Sequence, residues 1–129
     1  MADGLKDKWL ERSRYDLETA EAMLKARRYL YVSYMCQQSV EKLFKALIVE
    51  KGESPVPIHN LNRLAEIAGL TGNLSESEKM FLDELTAYCI EARYGDYKEE
   101  LSEICDRKKA MELLRKTREI WNRHFKKKS

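Results

Sequence analysis

The sequence predicts an all-α protein, an antiparallel up-and-down four-helix bundle with one additional short helix. Three observations predict it. Apolar residues recur at steps of three and four along most of the chain. No stretch alternates with the two-residue period of a strand, and no segment repeats. The helix-breaking residues gather in a few short clusters, and short connections make successive helices antiparallel neighbours. The 129 residues fit one domain spanning 1–129, with 126–129 a frayed tail.

The first helix runs from Leu5 to Ala26, with Trp9, Leu10, Ser13, Leu17, Ala20, Met23 and Leu24 along one side and Asp16 beside that stripe. Lys25 to Arg28 is a basic exit and a short turn. The central helix spans Tyr29 to Lys51, free of Pro and Gly, with Val32, Cys36, Val40, Leu43 and Leu47 as its stripe and Met35, Phe44 and Ile48 widening it. Gly52 stops it, and Pro55 and Pro57 hold the following segment out of helix. Asn60 caps a short helix, Leu61 to Ala68, which Gly69 closes. Ser75 and Glu78 form a capping box for a helix reaching about Ala92, with Phe81, Leu85, Tyr88, Cys89 and Ala92 facing inward. Arg93-Tyr94-Gly95-Asp96-Tyr97 breaks the period. The last helix starts near Ser102 or Asp106, and Ala110, Leu113, Leu114, Thr117, Trp121 and Phe125 carry its stripe.

Composition narrows the function classes. With 43% hydrophobic residues the chain is too apolar for disorder. No apolar run reaches the length of a membrane span and no secretory signal opens the sequence, so the expectation is a cytoplasmic protein. Cys36, Cys89 and Cys105 are widely spaced, form no CxxC pair, and read as small buried residues. Two histidines leave little for a His-based metal site, and no cofactor is called for. Charge is uneven: residues 75–103 hold nine acids against three bases, and residues 106–129 ten bases against three acids. Such a basic segment attracts phosphate or nucleic acid, or pairs with an acidic segment of its own or a neighbouring chain.

Two polar sets carry candidate chemistry. On the central helix, Gln37, Gln38, Glu41, Lys42 and Lys45 lie at one-turn spacings. They read either as an anion site or, more simply, as the wet edge of a core helix. His59, between Pro57 and the Asn60 cap, either hydrogen-bonds across its loop or joins Glu41 or Arg93 beneath a pocket at the bundle end. In the last helix, Arg118 and His124 supply a cation and an imidazole, the pair a metal-independent ribonuclease needs. Six positions on a straight helix rotate by about 240° and rise roughly 9 Å, so the two converge only across a dimer or past a frayed end.

Four segments in order resemble the HEPN domain of prokaryotes. Trp9 with Asp16-Leu17 and Ala20 resembles its W…DL..A opening, and Gln37-Gln38-Ser39-Val40-Glu41-Lys42 through Lys45-Ala46-Leu47 its QQ..EK..KALL segment. Pro57-Ile58-His59-Asn60-Leu61 with Leu64 resembles its P.H.L..L loop, and Ala92-Arg93-Tyr94-Gly95-Asp96 its ARYPD, with Gly95 where Pro is usual. The resemblance implies an up-and-down helical bundle, commonly a homodimer. It also implies work beside a separate minimal nucleotidyltransferase as a two-component, toxin–antitoxin-like pair, and a nucleotide-binding role. Other branches are ribonucleases that act on RNA, with Arg followed by His after four to six residues. Here only Arg118 and His124 match, at the C-terminal end.

The resulting reading is a non-catalytic nucleotide-binding and partner module, with Glu41, Lys42, Lys45, His59, Arg93, Tyr94 and Asp96 as ligand-binding residues and no metal. Arg93 and Lys42 would hold phosphate, Tyr94 would stack on a base, and Glu41 would orient Arg93. The same residues also read as a buried network that fixes the loops. The alternatives are a ribonuclease toxin using Arg118 and His124, and a purely structural dimerisation module.

Overall fold

The computed structural model describes residues 2–94 and 105–125; the side chains of residues 2, 3, 89–94 and 125 lie outside that description. Within it, five α-helices follow one another: α1 (Ala2–Lys25), α2 (Tyr29–Glu50), α3 (Leu61–Ile67), α4 (Glu76–Tyr94) and α5 (Arg107–Phe125). A 3-10 turn, Thr71–Asn73, precedes α4, and the described residues contain no strand. No described helix is long and apolar enough to cross a membrane.

The predicted start and stop signals act as their chemistry dictates. The Asn60 side chain accepts from the Arg63 backbone N–H at 2.9 Å. Ser75 and Glu78 form a reciprocal capping box, each side chain taking the other's backbone N–H. Asp106 caps α5 by accepting from the Lys109 N–H at 2.8 Å, which sets the start of α5 at Arg107; the Ser102 alternative lies outside the described residues. Three helices end in the same paired-bond motif. At α2, the Gly52 and Glu53 N–H groups bond to the Val49 and Ile48 carbonyls; at α3, those of Gly69 and Leu70 bond to Glu66 and Ala65. At α1, those of Arg27 and Arg28 bond to Leu24 and Met23. The motif needs a left-handed residue at its turn. Gly52 (φ +88°) and Gly69 (φ +78°) meet that requirement without a Cβ clash, whereas α1 uses Arg27 at φ +63°.

Directions follow from the side-chain pairs. Lys6 pairs with Glu50, the Lys45 ammonium lies 5.5 Å from the centre of the Trp9 ring, and Ser13 faces Ser39, so α1 and α2 run antiparallel. Lys109 meets Glu84, Lys116 lies over Phe81, and Arg123 meets Glu78, so α4 and α5 also run antiparallel. Ser13 and Ser39 let the α1 and α2 backbones approach closely. Each hydroxyl donates to the other residue's carbonyl, and Ser13 Oγ also accepts from the Trp121 indole N–H at 3.0 Å. That bond ties α5 to the same seam.

The helix α2 touches each of the other four. Its apolar stripe is buried as expected, with Val32, Cys36, Val40, Leu43 and Phe44 fully enclosed. Its polar block is not the expected wet edge. Gln37, Glu41 and Lys45 are 0%, 4% and 7% exposed, because α1 and the segment leading into α3 close over the second side of the helix. Cys36 and Cys105 are buried free thiols. Burial pushes the Cys36 thiol up to about 12 and that of Cys105 to about 11, so both are inert at neutral pH. Cys89 lies outside the described side chains.

A β-carbon at a left-handed position costs about 1 kcal/mol. Replacing Arg27 with Gly is therefore expected to raise the unfolding free energy by about that amount and the melting temperature by roughly 3–5 °C. Calorimetry on the variant checks this; a lowered midpoint would contradict the strain assignment.

Candidate functional site

The central feature is the Glu41 carboxylate. It sits mid-way along α2, and three neighbours reach it. Gln37, one turn earlier, donates its amide to Oε1 at 3.0 Å, and Lys45, one turn later, donates to Oε2 at 3.0 Å. His59, from the loop before α3, places Nδ1 2.9 Å from Oε1. An ionised carboxylate only accepts, so the Nδ1 hydrogen belongs to the imidazole and His59 donates. Gln37 also donates to the His59 carbonyl at 3.2 Å, and Gln38 donates to the Gln37 side-chain oxygen at 2.7 Å. The loop is thus held by its main chain and its side chain together.

Two effects oppose each other at Glu41. Burial alone would push its pKa up, because a charge in a poorly solvated site is costly. The hydrogen bonds from Gln37, His59 and Lys45, with the Lys45 charge, outweigh that and hold the carboxyl below its ordinary value. Glu41 is therefore ionised at neutral pH. Lys45 is enclosed between this carboxylate and the Trp9 ring, a setting that suits a partly desolvated ammonium.

Of the residues predicted for a ligand site, Glu41, Lys45 and His59 are brought together and Lys42 is not among them. Lys42 turns to α1 and pairs with the buried Asp16, so its ammonium is committed to a carboxylate rather than open for phosphate. The physical reason is register: Asp16 borders the α1 stripe and faces α2 at that level. Arg93 and Tyr94 occupy the last turn of α4, with side chains outside the described set, and Asp96 lies outside the described residues. The loop and α4 are joined directly, because the Leu61 N–H donates to Thr86 Oγ at 3.1 Å. Arg93 lies seven residues beyond Thr86, a rise of roughly 10 Å.

Arg118 and His124 lie on one unbroken helix and face different directions around it. Arg118 is ion-paired with Glu21 of α1. Among the described residues no cluster of His, Cys, Asp and Glu has the makings of a metal site.

Sequence alone does not single out Gln37 as the link to the loop, or the groove that opens at Asn60. That groove, about 590 Å³, lies between α3 and α4 and is lined by Asn60, Asn62, Arg63, Lys79, Met80 and Asp83 among others. Asn62 reaches across it to the Lys79 carbonyl and to Asp83. The available signal was Asn62 and Arg63, which follow the Asn60 cap and the buried Leu61 and are polar residues on the outer side of a short helix.

The HEPN domain family matches residues 7–128 of the chain. The chain belongs to the HEPN family. A crystal structure of TT1696 from Thermus thermophilus is similar in fold, with a TM-score of 0.75 and 22% identity, covering 89% of this chain and 91% of that one. No curated protein matches the chain. The four segments that resemble the family fall, in this HEPN chain, on α1, on α2, on the His59 loop with α3, and on the end of α4 with the residues after it.

Removing one member of a buried ion pair leaves the other uncompensated, at about 3–5 kcal/mol. Glu41→Ala is expected to lose stability on that scale in urea unfolding, and Glu41→Leu combined with Lys45→Met to recover a substantial part. A double variant no more stable than Glu41→Leu alone would contradict the pairing. The pH dependence has a definite sign. The folded-state pKa of Glu41 lies below the unfolded value of about 4.3, so its contribution is fully present above that pH and is lost as pH falls below it. Glu41→Gln should therefore show a shallower loss of stability below about pH 4 than the parent, measured by acid titration of circular dichroism.

Proposed function

We propose that this HEPN chain is a non-catalytic nucleotide-binding and partner module. In this reading it is an antiparallel up-and-down four-helix bundle with a short additional helix. It works as a homodimer beside a separate minimal nucleotidyltransferase, in a toxin–antitoxin-like pair. The observation that carries the ligand reading is the Glu41 centre. A buried, ionised carboxylate grips the His59 loop, the His59 side chain remains 41% exposed, and the next residue, Asn60, lines the groove between α3 and α4. A fixed polar ring next to an open groove of this size suits a nucleotide, which needs a few oriented polar groups in a preformed cleft. Arg93 and Tyr94, in the last turn of α4, supply the phosphate and base contacts in this reading at the end of α4 beyond the groove, whose lining on that helix ends at Asp83. Lys42 and Lys45 act indirectly, holding α2 against α1 and polarising Glu41.

The directions of the α1/α2 and α4/α5 pairs support the up-and-down arrangement. The non-catalytic reading is supported by the separation of Arg118 and His124 around α5 and by the commitment of Arg118 to Glu21.

A thermal-shift series with ATP and GTP in EDTA and in magnesium tests the reading. A nucleotide at about one hundred times its dissociation constant adds roughly 2.7 kcal/mol of stability. The shift should be strongly reduced in Arg93→Ala and in His59→Ala. Absence of any shift would count against the ligand. Cleavage of a structured RNA in EDTA that is lost in His124→Ala would replace this reading with the ribonuclease one.

A further inference from the structure

Building on the proposal of a partner module, we infer that the groove between α3 and α4 binds an arginine side chain presented by that partner protein. The nucleotide contacts of the same proposal lie at the end of α4, past the groove. Asn60, Asn62 and Arg63 line one wall, and Lys79, Met80 and Asp83 the other. The lining holds three acids, Glu66, Glu76 and Asp83, against two bases. Each base already has a partner. Arg63 meets Glu66 at 2.9 Å, and Lys79 meets Glu76 at 3.5 Å. Asp83 is left with no cation partner among the described residues. The groove therefore keeps one unbalanced negative charge, which repels a phosphate and draws a cation.

Asp83 is also held in place. Asn62 donates one amide hydrogen to Asp83 Oδ1 at 2.7 Å and the other to the Lys79 carbonyl at 2.8 Å. Both of those neighbours are acceptors, so the amide nitrogen faces them and Asn62 Oδ1 is left as an acceptor. Neither Asn62 Oδ1 nor the second oxygen of Asp83 receives a hydrogen bond among the described residues. A pair of fixed acceptors, one of them charged, matches the planar fork of a guanidinium better than the point charge of an ammonium. Asp7, Glu11, Glu18 and Glu53 also lack a cation, but among the described residues no hydrogen bond holds their carboxylates, and Asp106 is spent on the α5 cap. Met80 stands three residues before Asp83, on the same face of α4. At 71% it is the most exposed large apolar side chain among the described residues. Its flexible thioether suits the methylene stem of an arginine whose head reaches Asp83. The opposite wall is anchored, because Asn60 caps α3 and follows His59, which Glu41 fixes.

The test is an NMR titration of the isotope-labelled protein with a blocked pentapeptide, Ala-Ala-Arg-Ala-Ala, and with its citrulline counterpart, which has the same shape and no charge. With the arginine peptide, the signals of the Asn62 side-chain amide, Met80 and Asp83 should move together. The citrulline peptide should bind roughly fivefold more weakly, the upper range for an ion pair at a surface. Asp83→Asn should lose the same factor for the arginine peptide at an unchanged thermal midpoint. Met80→Ser should lose about fourfold, the burial of about one methylene. Saturating ATP should leave the peptide affinity as it is. Equal binding of the two peptides, or an Asp83→Asn protein that binds the arginine peptide as the parent does, overturns the proposal. Displacement of the peptide by ATP also overturns it and gives the groove to the nucleotide. Binding seen only once residues 126–129 are removed overturns it in favour of the chain's own Lys126-Lys127-Lys128. A protein that binds the arginine peptide and no nucleotide keeps the groove assignment and loses only the nucleotide reading.

Discussion

A carboxylate taken out of water must be matched by donors, and the Glu41 centre shows how much of the molecule that one demand arranges. Three side chains and one carbonyl converge around it, from two successive turns of α2 and from a loop eighteen residues away. Each satisfies something that would otherwise be costly. Glu41 needs hydrogen-bond donors, Lys45 needs an anion, and the His59 carbonyl needs a donor of its own. None of these contacts adds much net stability beyond an apolar core of the same shape. Their effect is on arrangement, because a loop without regular structure has one position in which all of them are made.

From that position the rest of the adjoining face follows. With His59 fixed, Asn60 begins α3 and Leu61 reaches Thr86 of α4. The loop, α3 and the outer side of α4 then form one surface. The opposite side of α2 is settled by small residues: Ser13 and Ser39 bring α1 close, and Trp121 closes the seam from α5. The apolar core supplies most of the driving force, and the polar contacts choose among the ways of packing it.

Much of this was legible in the sequence. Asn60, the Ser75–Glu78 box, Gly52 and Gly69 carry local chemistry that does not depend on distant partners, and each does what its type implies. The apolar stripes were legible for the same reason. The burial of Gln37, Glu41 and Lys45 was not. Their one-turn spacing shows that they share a face, but whether that face is wet depends on what covers it, and the cover comes from α1 and from the loop before α3. Lys42 misled in the same way, since its partner Asp16 sits on another helix. Arg27 was hidden because its neighbours predict only a short turn, and its left-handed backbone has no glycine to mark it. The site was legible as a set of residue types and not as a geometry.

An ionised Glu41 receiving a hydrogen from His59 Nδ1 stands at the centre of this structure, and nitrogen NMR of the imidazole reads that most directly. At neutral pH, His59 Nδ1 is expected to have the chemical shift of a protonated nitrogen, and this assignment should change in Glu41→Leu, which leaves no acceptor at that position. A neutral His59 in the parent protein with its hydrogen on Nε2 and a bare Nδ1 would contradict it, because two acceptors would then face each other in the buried centre.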